Sequence, residues 1–261
     1  MSTITCQGQH FTEIRGIFLD KDGTLANVAS YLSRLGQLQA ALMEQQLPGT
    51  RALTLKVLGF TDTGLTASGL LAVGSRYETI VATAAVATAK GYPWGEALAL
   101  ATTTLSAADK RCEPKATFTP PVAGAVEFLK RLKQAGLKII MVSADSQDNV
   151  ESFVDCHGLH TYFDRLQGVS GQHPSKAHPS FFQAACRGVG LEPHQGLVIG
   201  DAASDWQMAA AAGGFIGFLK GWSPPVSPAD ILQGGTQLGP LPQRAFVTNF
   251  RQIEVEDARQ P

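Results

Sequence analysis

Ile14-Arg15-Gly16-Ile17-Phe18-Leu19-Asp20-Lys21-Asp22-Gly23-Thr24 decides how the rest of the chain is read. From Ile14 to Leu19 the stretch is apolar apart from Arg15 and Gly16. It then stops abruptly at acidic residues and a glycine, as a buried strand does on entering a tight loop. Two later runs end in the same way: Leu137 to Val142 stops at Ser143-Ala144-Asp145, and Leu197 to Ile199 stops at Gly200-Asp201. Helical patterns follow at Pro121 to Gln134, Gln147 to Cys156 and Pro179 to Val189, closed by Gly136, Gly158 and Gly190. Strands alternating with helices predict an α/β fold with a parallel sheet of βαβ units. Open parallel sheets bind ligands beyond the carboxyl ends of their strands, which nominates Asp20, Asp22, Ser143 and Asp201 as one site.

Between the first strand stop and Pro120 the sequence changes character. It is rich in Ala, Leu, Thr and Gly, with helix-compatible runs near Val28 to Gln46, Val73 to Lys90 and Trp94 to Lys110 and no comparable β-alternation. Residues 27–117 are therefore read as a helical insertion, residues 1–26 and 118–261 as the α/β core domain, and Pro114 to Pro121 as the return linker. Past Trp222 the tail is rich in Pro and Gly, and Ala245 to Val247 offers a final edge strand.

With 261 residues, 44% hydrophobic and only 16% charged, the chain has material for a sizeable core and too little charge for a disordered polyion. A net charge of −1 without a Lys/Arg block gives no electrostatic footprint for nucleic acid or an anionic membrane. The four cysteines lack C-x-x-C spacing, and the N-terminus lacks the basic and apolar regions of a signal peptide. The least polar long stretch, Thr79 to Ala89, falls short of the roughly 20 residues that span a bilayer. A cytoplasmic protein with reduced thiols is expected.

Asp20 and Asp22, joined by Asp201 and Asp205 at another strand end, put four carboxylates in one cluster. Such a cluster needs a hard divalent cation, and an all-oxygen set with room for water and a phosphate oxygen describes Mg²⁺. Lys176, where a loop leads into the helix from Pro179, would offset the negative charge that opposes approach of a carboxylate to a phosphoryl group. Ser143 and the backbone N–H groups after it, Ala144 first, form a plausible phosphate cradle. This inventory fits phosphoryl transfer through an aspartyl-phosphate.

Asp20-Lys21-Asp22-Gly23-Thr24, Ser143, Lys176 and Gly200-Asp201-Ala202-Ala203-Ser204-Asp205 together resemble, in order and spacing, the four motifs of the haloacid dehalogenase superfamily. The helical insertion is similar to the cap of the subgroup containing phosphoglycolate phosphatases and β-phosphoglucomutases. The resemblance covers about Ile14 to Trp222 and implies a Rossmann-like parallel-sheet core with an inserted α-helical cap. It implies that Asp20 attacks phosphorus, that Asp22 is the acid/base, and that Lys176 holds nucleophile and phosphate together. Ser143, with Ala144 and Thr24 beside it, would bind substrate. Mg²⁺ would be held by Asp20, Asp201 and the backbone carbonyl of Asp22, with Asp205 as a direct or indirect ligand. A carboxylate at Asp22 speaks against a dehalogenase. One departure is Lys176-Ala177-His178-Pro179, where relatives often have Lys-Pro-x-Pro.

The function implied is a Mg²⁺-dependent phosphatase acting on a small phosphorylated metabolite, with 2-phosphoglycolate the first substrate to try. A phosphomutase that passes the phosphoryl group to a sugar hydroxyl is the alternative, and a binding module is disfavoured because Asp20, Asp22 and Lys176 all stand. His173 and His178 are read as exposed bystanders, Arg76 as a surface arginine, and Trp206 with Ala209 to Ala212 as packing residues.

Overall fold

The computed structural model describes residues 2–112, 114–169, 176–232 and 243–256. His173 and the glycines at 234, 235 and 239 lie outside the described residues. The chain divides into two compact units, residues 1–27 with 120–261, and residues 28–119. In chain order the strands are β1 (Ser2–Cys6), β2 (Gln9–Ile14), β3 (Gly16–Asp20), β4 (Phe60–Thr61), β5 (Gly64–Leu65), β6 (Lys138–Ser146), β7 (Arg165–Val169), β8 (Gly196–Gly200), β9 (Gly214–Phe218), β10 (Arg244–Val247) and β11 (Ile253–Glu256).

The first unit is built on a six-stranded sheet of order β10-β9-β8-β3-β6-β7, parallel throughout. β3 is central and buried along its length, with β6 on one side and β8 on the other. The chain moves outward through β6 and β7, then returns to build β8, β9 and β10 on the opposite side. The carboxyl ends flanking this reversal form the crevice where an open α/β sheet takes its ligand. Phe18 packs edge-on to Phe182, and the Phe250 ring stacks on both Phe128 and Phe218. Each fully buried ring contributes on the order of 2 kcal/mol of hydrophobic stabilisation. A second, antiparallel sheet of order β11-β1-β2 completes the unit.

Some expected boundaries move. The run Ile14 to Leu19 is split, because the Arg15 N–H donates to Gln195 O (2.9 Å) and its carbonyl accepts from Lys138 N (2.9 Å), so β2 ends at Ile14 and β3 begins at Gly16. The helix expected from Pro121 starts at Ala125. Val122 N instead donates to Leu25 O (2.7 Å), and Gly124 supplies the positive φ of 84° at the helix start. β6 runs past Val142 to Ser146 with an irregular register against β7.

The second unit consists chiefly of helices Ala29–Gln46, Arg51–Leu58, Arg76–Ala89 and Trp94–Arg111. Helix Arg76–Ala89 opens on a reciprocal cap in which Ser75 Oγ accepts from Glu78 N and Glu78 reaches back to Ser75 N. Its small residues decide how the helices meet: Ala84, Ala87, Ala97 and Ala101 are fully buried around Met43, which lets the helix backbones approach closely. The expected return linker Pro114 to Pro121 contains a short helix, Lys115–Phe118, and the unit ends at Thr119. A hairpin of β4 and β5, absent from the sequence reading, also lies here. No helix of the described residues is long and apolar enough to cross a membrane.

Candidate active site

Asp20 is the last residue of β3, and the loop after it turns at once. Lys21 O accepts from both Leu25 N (2.9 Å) and Ala26 N (2.8 Å), which wraps the loop around its own carbonyl. Gly23 makes this turn possible. Its φ is +90°, and a Cβ there would fall 2.3 Å from Asp201 Oδ2 and 2.4 Å from Trp222 Nε1. Gly23→Ala combines left-handed strain with a clash against the site floor. It is expected to cost about 3 kcal/mol of stability, or to prevent folding, as read by urea denaturation.

Lys176 is 3% exposed at the turn before helix Pro179–Arg187. Its Nζ is ion-paired with Asp20 Oδ1 and lies 2.6 Å from Asp205 Oδ1. Asp205 belongs to the first turn of helix Ala203–Met208, where its Oδ2 accepts from Ala202 N (3.0 Å). Asp201, just past β8, accepts from Thr24 Oγ1 on Oδ1 (2.8 Å) and from Trp222 Nε1 on Oδ2 (2.7 Å). Asp20, Asp201 and Asp205 are all buried, and one carboxylate oxygen from each lies within 4.8 Å of the others. Ser143 is buried within β6, one residue past Val142, which pairs with Asp20, and its Oγ accepts from Asp145 N (3.1 Å). The structure thus gathers Asp20, Lys176, Asp201 and Asp205 directly, with Ser143 on the strand adjacent to Asp20.

One expected placement changes. The carboxylate of Asp22 is not in the buried cluster, which holds three carboxylates rather than four. Lys21 Nζ holds Asp22 Oδ1 at 2.6 Å and Asp145 Oδ2 at 3.1 Å. Thr24, expected to bind substrate, is fully buried, and its hydroxyl proton is committed to Asp201. That bond orients the Asp201 carboxylate. Nothing in the sequence assigns Lys21 a role. It is 1% exposed, with its ammonium 5.8 Å from the Phe153 ring, and it ties the loop after β3 to the end of β6. Trp222 likewise went unassigned.

Burial pushes the Asp20 carboxyl up to about 6; the charges of Asp205 and Asp22 add to this, and Lys176 opposes it. Asp201 is raised well above the usual carboxylate range, by burial first and by Asp20 and Asp205 next, against its hydrogen bonds from Trp222 and Thr24. Burial disfavours the Lys176 ammonium, but Asp20 and Asp205 outweigh it and hold its pKa above the ordinary lysine value. Three buried carboxylates beside one lysine remain short of positive charge, and among the described residues Asp20 Oδ2 has no hydrogen-bond partner. An oxygen-only donor set with an unpartnered buried carboxylate oxygen fits a hard divalent cation.

A pH dependence follows. The folded-state pKa of Asp20 lies above its unfolded value, so its contribution to stability is complete at low pH and is lost as pH rises through about 6. A divalent cation held by these carboxylates would compete with those protons. Any rise in Tm on adding a divalent cation is therefore expected to be larger at about pH 8 than at about pH 5, which a pair of thermal-shift titrations checks.

A family model described as haloacid dehalogenase-like hydrolase matches residues 14–213. A phosphoglycolate phosphatase of Thiobacillus denitrificans is 24% identical over 201 residues, covering 77% of this chain and 80% of that protein. Among solved structures, a haloacid dehalogenase-like family protein from Streptococcus pneumoniae superposes with a TM-score of 0.60 at 17% identity, over 92% of this chain and 97% of that one. A HAD family hydrolase from Deinococcus radiodurans, solved with bound phosphate and sodium, superposes with a TM-score of 0.55 at 20% identity, over 92% and 93%. These likenesses establish the shared fold. The family match begins just before β3 and runs past the helix that carries Asp205, taking in all the strand ends that form the site, and so the chain belongs to the haloacid dehalogenase-like hydrolases.

Proposed function

We propose that this protein is a Mg²⁺-dependent phosphatase that hydrolyses a small phosphomonoester through an aspartyl-phosphate on Asp20. The observation that carries this reading is the placement of Asp20 at the end of the central strand. One of its carboxylate oxygens is held by the buried Lys176 ammonium, and the other has no hydrogen-bond partner among the described residues. A nucleophile so placed is fixed in direction and relieved of part of its charge repulsion toward a phosphate.

Asp20 forms an O–P bond as the ester P–O bond breaks, and Asp22 delivers a proton to the departing alkoxide oxygen. A water molecule then attacks the phosphoryl phosphorus and gives its proton to Asp22. Phosphate leaves, and the Asp20 carboxylate is restored. Lys21, by holding Asp22 Oδ1, keeps that carboxylate away from the cluster of Asp20, Asp201 and Asp205. Ser143 Oγ accepts from Asp145 N, so its own hydroxyl proton points elsewhere and suits a phosphoryl oxygen, with the Ala144 N–H beside it. Asp20, Asp201 and Asp205, together with the backbone carbonyl of Asp22, would hold Mg²⁺, which when bound neutralises charge on the transferring phosphoryl group.

The substrate named first is 2-phosphoglycolate, supported by the phosphoglycolate phosphatase of Thiobacillus denitrificans to which the chain is similar. A cytoplasmic setting goes with the cysteines, none of which is in a disulfide. The test is phosphate release from a panel containing 2-phosphoglycolate, glycerol phosphates and hexose phosphates, each with Mg²⁺ and with EDTA. Metal-dependent release is expected. Release indifferent to EDTA would overturn the metal reading, and isomerisation of a hexose phosphate without release would make the enzyme a mutase.

A further inference from the structure

Trp222 stands beyond the residues matched by the family model, yet it reaches into the centre of the site. It is 6% exposed, and its indole Nε1–H donates to Asp201 Oδ2 at 2.7 Å. An indole N–H can only donate, so the direction of this bond is unambiguous. The other Asp201 oxygen takes the Thr24 hydroxyl, and the carboxylate is therefore gripped from two separate segments of the chain.

The segment that delivers Trp222 is itself fixed. Leu219 N donates to Val247 O (2.8 Å), and Val226 N returns to Leu219 O (3.0 Å), which closes the loop on which Trp222 sits. Between them Gly221 crosses directly over the turn after Asp20: a Cβ there would lie 1.5 Å from Gly23 O. Only glycine lets the two backbones pass so closely. The tail of the sheet domain is thus laid against the nucleophile's own loop, with the indole aimed at Asp201.

We infer that Trp222 is a positioning residue for the metal: its N–H sets the orientation of the Asp201 carboxylate so that a lone pair on each oxygen remains for a divalent cation. The inference rests on the proposed Mg²⁺ site and adds a residue to it. Hydrogen-bond partners of metal-ligating side chains typically change affinity by about 10- to 100-fold when removed. Phenylalanine at this position fills most of the indole's volume without the donor. It leaves a buried carboxylate oxygen unpartnered and the Asp201 side chain held by Thr24 alone.

The experiment is a calorimetric titration of Mg²⁺ into the metal-free full-length chain, comparing wild type, Trp222→Phe and Asp201→Asn, with thermal melts of each without metal. Wild type is expected to bind. Trp222→Phe is expected to bind about 10-fold more weakly while keeping a cooperative melt, and Asp201→Asn more weakly still. If Trp222→Phe does not fold, 3-benzothienylalanine at position 222 keeps the bicyclic shape and removes only the N–H, and the same 10-fold loss is expected of it. Equal Mg²⁺ affinity in wild type and either donor-free variant would reduce Trp222 to packing and leave the proposed function standing. No Mg²⁺ binding by wild type would overturn the metal site itself and the inference with it.

Discussion

Asp20→Asn is expected to abolish turnover, with phosphate release falling by about 10⁴-fold or more, because an amide cannot serve as the nucleophile and nothing else in the buried cluster is placed to replace it. The fold should survive. Asn is nearly isosteric, and the substitution removes one of the two carboxylates that share Lys176, in a cluster of three buried carboxylates. Asp20 is held at a raised pKa chiefly by burial, so its ionised form is unfavourable in the metal-free protein, and the neutral amide relieves that strain. Stability of the metal-free variant at neutral pH is accordingly expected to equal or exceed that of wild type. Steady-state phosphate release together with a denaturation curve checks both halves. An inactive variant that is also unfolded would mean that Asp20 is needed for structure, and an active one would remove the covalent route.

Lys176→Met is expected to fail in both respects. Lys176 is the cation shared by Asp20 and Asp205, and all three side chains are almost wholly buried. Removing one partner of a buried ion pair leaves uncompensated charge and costs about 3–5 kcal/mol. The loss is expected to shrink as pH falls through about 6, where Asp20 takes up a proton, and to shrink again when a bound divalent cation supplies the missing charge. Turnover is expected to drop about 10³-fold even with saturating Mg²⁺, because the ammonium that offsets charge between nucleophile and phosphoryl group is gone. Lys176→Arg does not rescue it, since the planar guanidinium is too large to sit between the two carboxylates in the ammonium's place. Urea denaturation at two pH values and kcat with saturating metal read these effects separately.

The parts of this structure legible in the sequence are those where burial and chemistry leave uninterrupted patterns. β3 is an apolar run that ends at Asp20, β6 passes from apolar residues to Ser143 within the strand, and β8 is followed directly by Asp201. β9 was hidden by its own packing. It is buried throughout, but Gly214 and Gly217 dilute the strand signal, and a Cβ on either would strike Phe11 or Phe246. β2 was hidden for the opposite reason, since four of its six residues are exposed and its apolar positions do not alternate. In the second unit the helix Arg51–Leu58 buries only Thr54 and Leu58, too few apolar positions to announce a periodic face.

The same logic sorts the site. Asp20, Lys176, Asp201 and Asp205 could be nominated because their residue types, at strand ends and in that order, have few other uses together. Lys21 and Trp222 could not, because their roles depend on distant partners. Lys21 reaches Asp145 across 124 positions, and Trp222 reaches Asp201 through a loop whose composition suggests only a tail. The bond from the Thr24 hydroxyl to Asp201 could not be read from the sequence either, since a hydroxyl at a turn shows nothing of its direction until the acceptor is in place.

Asp20 is the group proposed to carry the phosphoryl moiety between substrate and water. The measurement that tests this directly is an acid quench in the first turnover of the best substrate from the panel, followed by borohydride reduction and mass spectrometry of the tryptic peptide Gly16 to Lys21. Reduction of an aspartyl-phosphate yields homoserine, so homoserine at position 20, absent without substrate, is the predicted result. Phosphate release with position 20 unmodified, or with the modification on another residue, would contradict the account.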